Sequence, residues 1–488
     1  MSLLPRSRAR RNARLAGLSS RLSLRWLWTR LRARVAHVDR RQEILDAYHL
    51  HSAEQVLDVM GNMKGAVMKL GQMMSFVTAD VPEQYRDLLK QLQSSAPPMD
   101  FALARGVIER ELGAPLRKLF RDVEPEPLAA ASIGQVHRAR LHSGEDVVVK
   151  VQYPGVDDAI RADLSNLGWL YAMVSMLHPG LDPKPLAEEL QVRLGEELDY
   201  AREARSQQLF AELYDGHPYI RIPRVFPERS SARVLTQEYV AGRTFDWLKA
   251  QPDALRHRAA EVLYRFVFGS IGHFHVFNGD PHPGNYVFHD DGRVTFLDFG
   301  CVKYFPPPMM GRWKQLLRAH LDGDRPAFRR MLETFGFIGA GAAASTDALY
   351  EYFRYFYEPF QADRVYTFAP EYNALSFGMM FDRTHPEFGP LLREFNMPAD
   401  FALVNRIQWG LYSILAELRA TGNWHRIHRE HLYGDPPATP LGEVGTAFRR
   451  GWKERRGLAP DAAVWLEPDG VRMERRGTSA LIATPTPT

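Results

Sequence analysis

The sequence predicts an α+β fold with two lobes, in which a small β-rich lobe precedes a larger helical lobe and helical extensions lie at both ends. Three observations predict it. Apolar residues recur three or four positions apart before residue 120 and again over 307–452. Between these stretches the period changes to two, and residues 135–141 and 146–151 flank a His-Ser-Gly turn, a pattern typical of a β-hairpin. Short polar loops then follow an apolar helix over 256–275.

The chain length of 488 residues exceeds what one hydrophobic core usually supports, so the sequence predicts one large unit with appended segments, or two domains. The predicted segments are a basic leader (1–42), an N-terminal helical extension (43–122), a β-rich lobe (123–240), a helical lobe (241–335), a C-terminal helical extension (336–452) and a partly disordered tail (453–488). An apolar fraction of 45% and a charged fraction of 25% exclude wholesale disorder. The single cysteine, Cys301, excludes an internal disulfide.

The first 42 residues form a strongly basic leader. They hold twelve arginines and one acid, Asp39, so the rest of the chain carries a net charge of −7 against +4 for the whole. The leader is either an amphipathic helix on an anionic membrane surface, an organelle-targeting peptide or a solvated basic tail. No run reaches the roughly 18 apolar residues of a spanning helix. The sequence therefore predicts a cytoplasmic or peripheral membrane protein that does not bind nucleic acid.

Two polar loops carry the strongest chemical signal. Asp280 and Asn285 are five residues apart, which is the Asp-to-Asn spacing of the protein-kinase catalytic loop, and Asp298 heads an Asp-Phe-Gly. Phosphoryl transfer needs one carboxylate to orient the attacking hydroxyl, and an amide and a second carboxylate to hold Mg²⁺ on the ATP phosphates. Each residue alone is also typical of a turn. Together they predict a kinase-like site with Asp280 as the base and Asn285 and Asp298 as the metal ligands.

A kinase-like site also needs a strand lysine that a helix glutamate holds against the α- and β-phosphates. Lys150 follows three valines in the expected place, although a surface lysine at a strand end is the alternative. Its partner is expected within residues 196–203, where Asp199 and Glu203 share a helix face. Glu197 lies off that face unless the helix is irregular.

The adenine and the phosphates have candidate contacts in the same lobe. Backbone groups around Glu238 and Val240, in a strand that turns into a hinge, are placed by their order in the chain at the adenine edge. No glycine-rich loop precedes the lysine strand. The residues in its place are Ala129, Ala130, Ala131 and Ser132. Because alanine restricts positive φ angles, we expect a stiffer phosphate loop than the usual one.

Several motifs together resemble the UbiB/AarF/ADCK family of atypical kinases. They are residues 129–137, 149–155, 197–204 and 280–285, and the Lys-Leu-Gly-Gln run at 69–72. The resemblance spans 69–300 and implies a two-lobed protein-kinase-like fold that binds ATP and Mg²⁺. It further implies a biology of isoprenoid lipids such as ubiquinone precursors, with quinone-biosynthesis proteins as partners and contact with a membrane surface.

The resemblance also implies roles that spacing does not give. In this family the Lys-x-Gly-Gln helix covers the active site where a peptide would dock, so Lys69 and Gln72 would be regulatory or catalytic. Glu197 and Asp199 would face that lysine as regulatory residues. Glu203 would then be the partner of Lys150.

The chain departs from the family pattern in front of Asp280. The family has Phe-His-Ala-Asp, whereas this chain has Asn278 at the place of the histidine, so a titrating role there is lost. Ser206 stands where the family tends to have asparagine. The aromatic run over 350–360 either packs within the C-terminal extension or contacts lipid.

Three functions follow from the sequence. The first is an atypical kinase or ATPase that supports isoprenoid-lipid biosynthesis or lipid homeostasis. The second is a phosphotransferase that acts on a protein or a small-molecule alcohol, and the Lys69 helix argues against a protein substrate. The third is a nucleotide-gated binding protein without catalysis.

Overall fold

The computed structural model describes residues 99–131, 133–157, 160, 195–196, 198–279, 281–381, 385–396, 398–475 and 478–481. These residues divide into two compact units. The N-terminal unit contains the described residues up to Ala201 together with Pro227–Thr236, and the C-terminal unit contains Arg202–Phe226 and the described residues from Gln237 onward. The predicted leader and the helix with Lys69 and Gln72 lie outside the described residues.

The described helices and strands alternate early in the chain and become mostly helical later. In chain order the first group is α1 (Phe101–Leu112), α2 (Leu116–Leu119), β1 (Asp122–Val123), β2 (Ala129–Ala131), β3 (Gly134–Arg140), β4 (Asp146–Gln152), α3 (Tyr200–Leu213), β5 (Ile220–Arg221), β6 (Val234–Glu238), α4 (Phe245–Lys249), α5 (Asp253–Phe274), β7 (Val276–Asn278), β8 (Tyr286–Phe288), β9 (Val294–Phe296) and β10 (Val302–Tyr304). The second group is α6 (Pro307–Leu321), α7 (Arg325–Phe335), α8 (Thr346–Gln361), β11 (Tyr366–Thr367), α9 (Pro370–Phe381), α10 (Gly389–Glu394), α11 (Ala399–Glu417), β12 (Thr421–Gly422), α12 (Trp424–Leu432), α13 (Pro440–Arg455), β13 (Val464–Glu467), β14 (Gly470–Arg475) and β15 (Thr478–Leu481).

An antiparallel hairpin of β3 and β4 forms the centre of the N-terminal unit and confirms the predicted one. Gly144 makes its turn with a φ of 106°, a conformation that favours glycine. The sheet order is β1-β3-β4-β6, and β2 pairs with β3. Val147, Val149 and Val151 of β4 are buried, and α1 packs against this strand.

Two helices of the N-terminal part are shorter than the periodicity predicted. The apolar spacing predicts a single helix over 107–120, but Gly113 ends α1 in a left-handed conformation and Pro115 precedes α2. The sequence pattern likewise predicts a continuous helix over 185–213. The described part is interrupted at 198–199, where the carboxylate of Asp199 accepts the N–H of Ala201 at 3.0 Å. A side chain that caps the next turn in this way favours a new helix start.

The helix α5 forms the centre of the C-terminal unit. It contacts α11, α12, β7 and β13, and most of its residues from Ala259 to Phe274 are buried. The aromatic residues of α8 are mostly buried as well, so this run packs inside the unit. Among the described helices, none combines the length and the apolar character that crossing a bilayer requires.

A buried ion pair joins α5 to the C-terminal helices. Arg265 donates to both carboxylate oxygens of Glu430 on α12, at 2.7 and 3.0 Å, and both side chains are 3% exposed. Arg265 also contacts Glu261 and Thr439, and Glu430 accepts the N–H of Ala438. The pair therefore fixes α12 and the start of α13 on the central helix.

The last described strands form a small antiparallel sheet in the order β13-β14-β15. The sequence predicted a partly disordered tail over 453–488, and the structure describes strands over 464–467, 470–475 and 478–481 within it. Val464, Leu466 and Val471 are buried, and β13 lies against α5 and β7. Burial against the C-terminal unit stabilises strands that are too short to be stable alone.

Candidate functional site

The two polar loops identified in the sequence lie side by side in the C-terminal unit. The strands β7 and β10 flank them and pair in antiparallel register, with Asn278 opposite Val302. The N–H of Gly279 donates to the carbonyl of Cys301 at 2.5 Å. A Cβ at position 279 would lie 2.7 Å from the Cys301 sulfur, so this close approach requires glycine. Asp280 itself lies outside the described residues, so its role stays a prediction.

Asn285 and Asp298 lie at the same end of a β-hairpin. Asn285 ends a 3₁₀ turn (Pro283–Asn285) directly before β8, and Asp298 follows β9, which pairs with β8. The N–H of Leu297 donates to the carbonyl of Asn285 at 2.9 Å. Mg²⁺ prefers carboxylate and carbonyl oxygens and is held by few protein ligands together with phosphates. The amide and the carboxylate therefore fit a magnesium site, which supports the predicted ligands.

Asn278 ties the two loops together. Its side-chain amide donates to the backbone carbonyl of Asp298 at 2.5 Å, and its own Oδ1 is buried with no hydrogen-bond partner in the described part of the chain. From the sequence, the only expectation for this residue is that it lacks the titrating group of the family's histidine. The structure shows that the amide supplies a hydrogen-bond donor at this place without a titrating group.

The Asp-Phe-Gly turn packs against α3. Phe299 is buried, and its ring centroid lies 4.9 Å from that of Phe210. A Cβ built on Gly300 would lie 3.4 Å from Oδ1 of Asp298 and 3.6 Å from Oε2 of Glu203. The Glu203 carboxylate, 4% exposed, therefore lies beside this turn. A buried carboxylate requires a cationic or hydrogen-bonding partner, as expected for the glutamate that holds the phosphate-binding lysine.

Lys150 lies within β4 in the N-terminal unit, opposite Val136 of β3. It is half-buried, and its Nζ lies 4.8 Å from the centroid of the Tyr200 ring, within the range of a cation–π contact. Lys150 belongs to the N-terminal unit and Glu203 to the C-terminal unit. Their ion pair stays a prediction for experiment.

The alanine segment forms one arm of a tight hairpin. Ala129 to Ala131 pair with β3 in a register that ends at Ala131 opposite Gly134. Ala129 and Ala130 are exposed, and Ser132 in the turn lies outside the described residues. A Cβ at Gly134 would lie 2.2 Å from the carbonyl oxygen of Val151, so the glycine of this loop serves strand packing.

Two motif residues beyond the alanines have structural roles that the sequence did not reveal. The Gln135 side chain accepts the N–H of Met99 at 2.9 Å and donates to its carbonyl at 3.2 Å. His137 donates from Nδ1 to the carbonyl of Glu124 at 2.8 Å, which leaves Nε2 to accept the Gln135 amide, also at 2.8 Å. Burial lowers the pKa of His137 and keeps it neutral. The Gln135–His137 pair therefore holds the residues just before α1 against the sheet.

Part of the predicted hinge forms hydrogen bonds within the protein. The N–H of Glu238 donates to the carbonyl of Arg224 at 2.8 Å, and its carboxylate contacts Arg221 at 2.5 Å and the N–H of Arg224 at 3.2 Å. Val240 is buried. The Glu238 N–H is therefore bonded within the protein, which leaves the residues that follow it as the better candidates for the adenine edge.

The predicted regulatory residues fall mainly on undescribed positions. Asp199 is described and caps α3. Lys69, Gln72 and Glu197 lie outside the described residues, so the proposed contact of the acidic pair with the lysine stays a prediction.

Comparison with known proteins identifies the family of this domain. An ABC1 atypical kinase-like domain matches residues 91–332. The uncharacterized protein sll1770 of Synechocystis is 36% identical over 274 residues, which cover 54% of this chain and 46% of that protein. The mitochondrial atypical kinase COQ8B of Rattus norvegicus is 32% identical over 320 residues, which cover 65% of this chain and 61% of that protein. The chain thus spans about half the length of these curated relatives.

A solved structure extends the comparison. The chain is similar to Rv3197 of Mycobacterium tuberculosis, whose structure contains erythromycin, with a TM-score of 0.57 and 30% sequence identity. The match covers 81% of this chain and 100% of that one. Together with the family match, it confirms the predicted α+β kinase-like fold.

Proposed function

Because the chain belongs to the ABC1 atypical kinase-like family, we propose that it is an ATP-dependent atypical kinase or ATPase that uses Mg²⁺. The observation that carries this proposal is the position of Asn285 and Asp298 at one end of the β8–β9 hairpin, with Asn278 bonded to the backbone of Asp298. Two oxygen ligands in this arrangement are what Mg²⁺ on a nucleotide requires.

The remaining residues of the proposal follow the phosphoryl-transfer template. Lys150 contacts the α- and β-phosphates and Glu203 holds that lysine. Asp280 orients the attacking hydroxyl and accepts its proton as the oxygen bonds to the γ-phosphorus, and ADP leaves with the electrons of the broken P–O bond. Mg²⁺, when bound, neutralises charge on the phosphates. We assign contacts with the phosphates to the alanine segment, Ala129 to Ala131 with Ser132.

The family resemblance suggests that the acceptor or effector is an isoprenoid lipid of the ubiquinone type, handled at a membrane surface. ATP hydrolysis coupled to lipid handling is the form of this proposal that Lys69 and Gln72 favour, because their helix would block a peptide substrate. A second candidate is phosphorylation of a small alcohol. The complex of Rv3197 with erythromycin favours a macrolide as one compound to test for it.

The decisive experiment measures ATP hydrolysis by the full-length protein with and without anionic liposomes. Asp298→Asn and Asn285→Ala should abolish Mg²⁺-dependent turnover. Asp291→Asn is the matched control, because this exposed acid of the β8–β9 turn forms a solvent-exposed ion pair with Arg293. Equal turnover by the native protein and Asp298→Asn would refute the proposal.

Transfer of label from γ-labelled ATP separates the remaining functions. Label in a lipid extract or in a macrolide indicates a phosphotransferase with that acceptor. Release of ADP without labelled acceptor indicates an ATPase. Tight binding of Mg-ATP with no turnover under any lipid condition indicates a nucleotide-gated binding protein.

A further inference from the structure

One face of the helix α3 carries three side chains that contact the segment after β9. Glu203, Ser206 and Phe210 are spaced three and four residues apart, so they lie on the same side of the helix. Each of them is at most 4% exposed. Each also meets a different residue of the segment 299–304, which begins at the phenylalanine of the Asp-Phe-Gly. The position of α3 against this segment therefore depends on three separate contacts.

Two of these contacts tolerate sliding of the helix. The rings of Phe210 and Phe299 have a centroid distance of 4.9 Å, and the burial of apolar surface that holds them together is not directional. The Glu203 carboxylate lies beside Gly300, where an added Cβ would be 3.6 Å from Oε2. Glycine has no side chain that would oppose a shift of α3. These two contacts hold α3 against the segment without fixing its place along the helix axis.

The third contact is a hydrogen bond and has a preferred direction. The hydroxyl oxygens of Ser206 and Tyr304 are 3.3 Å apart. Burial raises the pKa of Tyr304, so its phenol stays neutral and keeps its proton for such a bond. A serine inside a helix can bond a carbonyl one turn earlier, but the Ser206 hydroxyl bonds the strand β10 instead. This bond therefore sets the position of α3 relative to β10.

The strand β10 connects that bond to the predicted metal loop. Tyr304 ends β10, which pairs with β7 so that Val302 lies opposite Asn278. The Asn278 amide in turn donates to the backbone carbonyl of Asp298. A continuous series of hydrogen bonds thus leads from Ser206 on α3, through the strand pair, to the turn that carries Asp298.

We propose that the Ser206–Tyr304 hydrogen bond positions the Glu203 carboxylate for the nucleotide phosphates. This inference rests on the proposed function, in which Glu203 holds the phosphate-binding lysine and Asp298 holds the metal. Both carboxylates lie next to Gly300, whose N–H donates to Oδ1 of Asp298 at 3.0 Å. A shift of α3 therefore changes the separation of two groups that act on the same phosphates, and misplacement by about 1 Å is enough to impair such a site.

The test measures, by calorimetry, the affinity of the full-length protein for Mg–AMP-PNP, an ATP analogue that resists hydrolysis. Ser206→Ala and Tyr304→Phe each remove one hydroxyl and should weaken binding about threefold to fivefold. This is the lower part of the range for one neutral hydrogen bond, because 3.3 Å is long for two hydroxyls. The double variant should bind as weakly as either single variant, since all three lack the same bond. A partly unfolded sample would lower the stoichiometry of binding and leave the affinity of the folded fraction unchanged.

The matched control is a second Tyr–Ser hydrogen bond, at the other end of α3. The hydroxyl oxygens of Tyr214 and Ser270 are 2.7 Å apart, and Tyr214 lies about 16 Å from Glu203 along the helix axis. Tyr214→Phe and Ser270→Ala should lower the melting temperature but bind Mg–AMP-PNP as the native protein does. Equal affinity of Ser206→Ala and the native protein, additive losses in the double variant, or the same loss of affinity in the control variants would each overturn the inference.

ATP turnover, measured on the same samples, separates this inference from the proposed function. Native protein that binds Mg–AMP-PNP but does not hydrolyse or transfer phosphate from ATP would refute the proposed catalysis, while weaker binding by Ser206→Ala would still support the positioning bond. Absence of Mg–AMP-PNP binding by the native protein would refute both.

Discussion

Removal of the charge of Glu430 should strongly destabilise the C-terminal unit. Glu430→Gln keeps the size of the side chain but removes the anion that faces Arg265, and both groups are 3% exposed. Breaking a buried pair by removing one partner costs about 3–5 kcal/mol, because the other charge stays buried. Glu261 still contacts Arg265, so we expect the lower end, about 3 kcal/mol.

The assay is urea unfolding followed by tryptophan fluorescence, to which the buried Trp424 and Trp452 contribute. With a slope of about 2–3 kcal/mol per molar urea, a loss of about 3 kcal/mol lowers the midpoint by about 1 M or more. The matched control is Asp363→Asn, which breaks an exposed pair with Arg426 and should leave the midpoint unchanged. A midpoint for Glu430→Gln that equals that of the control would refute the reasoning.

Three further predictions concern acid stability, the lysine hairpin and the metal loop. Burial lowers the pKa of His320 to about 4 and that of His428 to about 3, so stability is complete above about pH 6.5 and falls as the pH decreases toward those values. At pH 5.5 the two should together cost about 3 kcal/mol, and equal urea midpoints at pH 7.5 and 5.5 would contradict this. Gly134→Ala should lower both the melting temperature and the affinity for Mg-ATP. The added Cβ would lie 2.2 Å from the carbonyl oxygen of Val151, and overpacking of this kind costs about 1–3 kcal/mol. A melting temperature and a calorimetric Mg-ATP affinity equal to those of the native protein would count against this prediction. Asn278→Leu removes the hydrogen bond to Asp298 and should reduce ATP turnover. Asn278→His should keep turnover and make it depend on pH near neutrality. Identical pH profiles of turnover for the native protein and Asn278→His would disprove this expected pH dependence.

Sequence periodicity and motif spacing correctly predicted the elements whose signals are local in the chain. The β3–β4 hairpin alternates clearly around Gly144, and α5 carries a long apolar pattern, so both were predicted. The spacing of Asn285 and Asp298 predicted that they would serve one function, and the β8–β9 pairing places them at one end of a hairpin. These signals need no knowledge of distant residues.

Other features depend on contacts that sequence patterns do not contain. The cap of α3 at Asp199 competes with continuation of the helix, and periodicity does not register such a side-chain bond. Asn278 gains its role only from the backbone of Asp298, which is twenty positions away. The strands of the C-terminal sheet are short and gain their stability from burial of Val464, Leu466 and Val471 in the C-terminal unit, which the local sequence does not show.

The contact of β13 with β7 has a consequence for synthesis of the protein. A ribosome delivers the residues of the two polar loops long before 464–467, whose strand packs against β7 and α5. A nascent chain at that stage holds every predicted metal ligand but exposes part of an unfinished apolar core, which is the kind of surface that chaperones bind. A premature stop codon shortly before residue 464 would therefore yield a protein with an intact motif set whose β7 and α5 lack the packing of this strand.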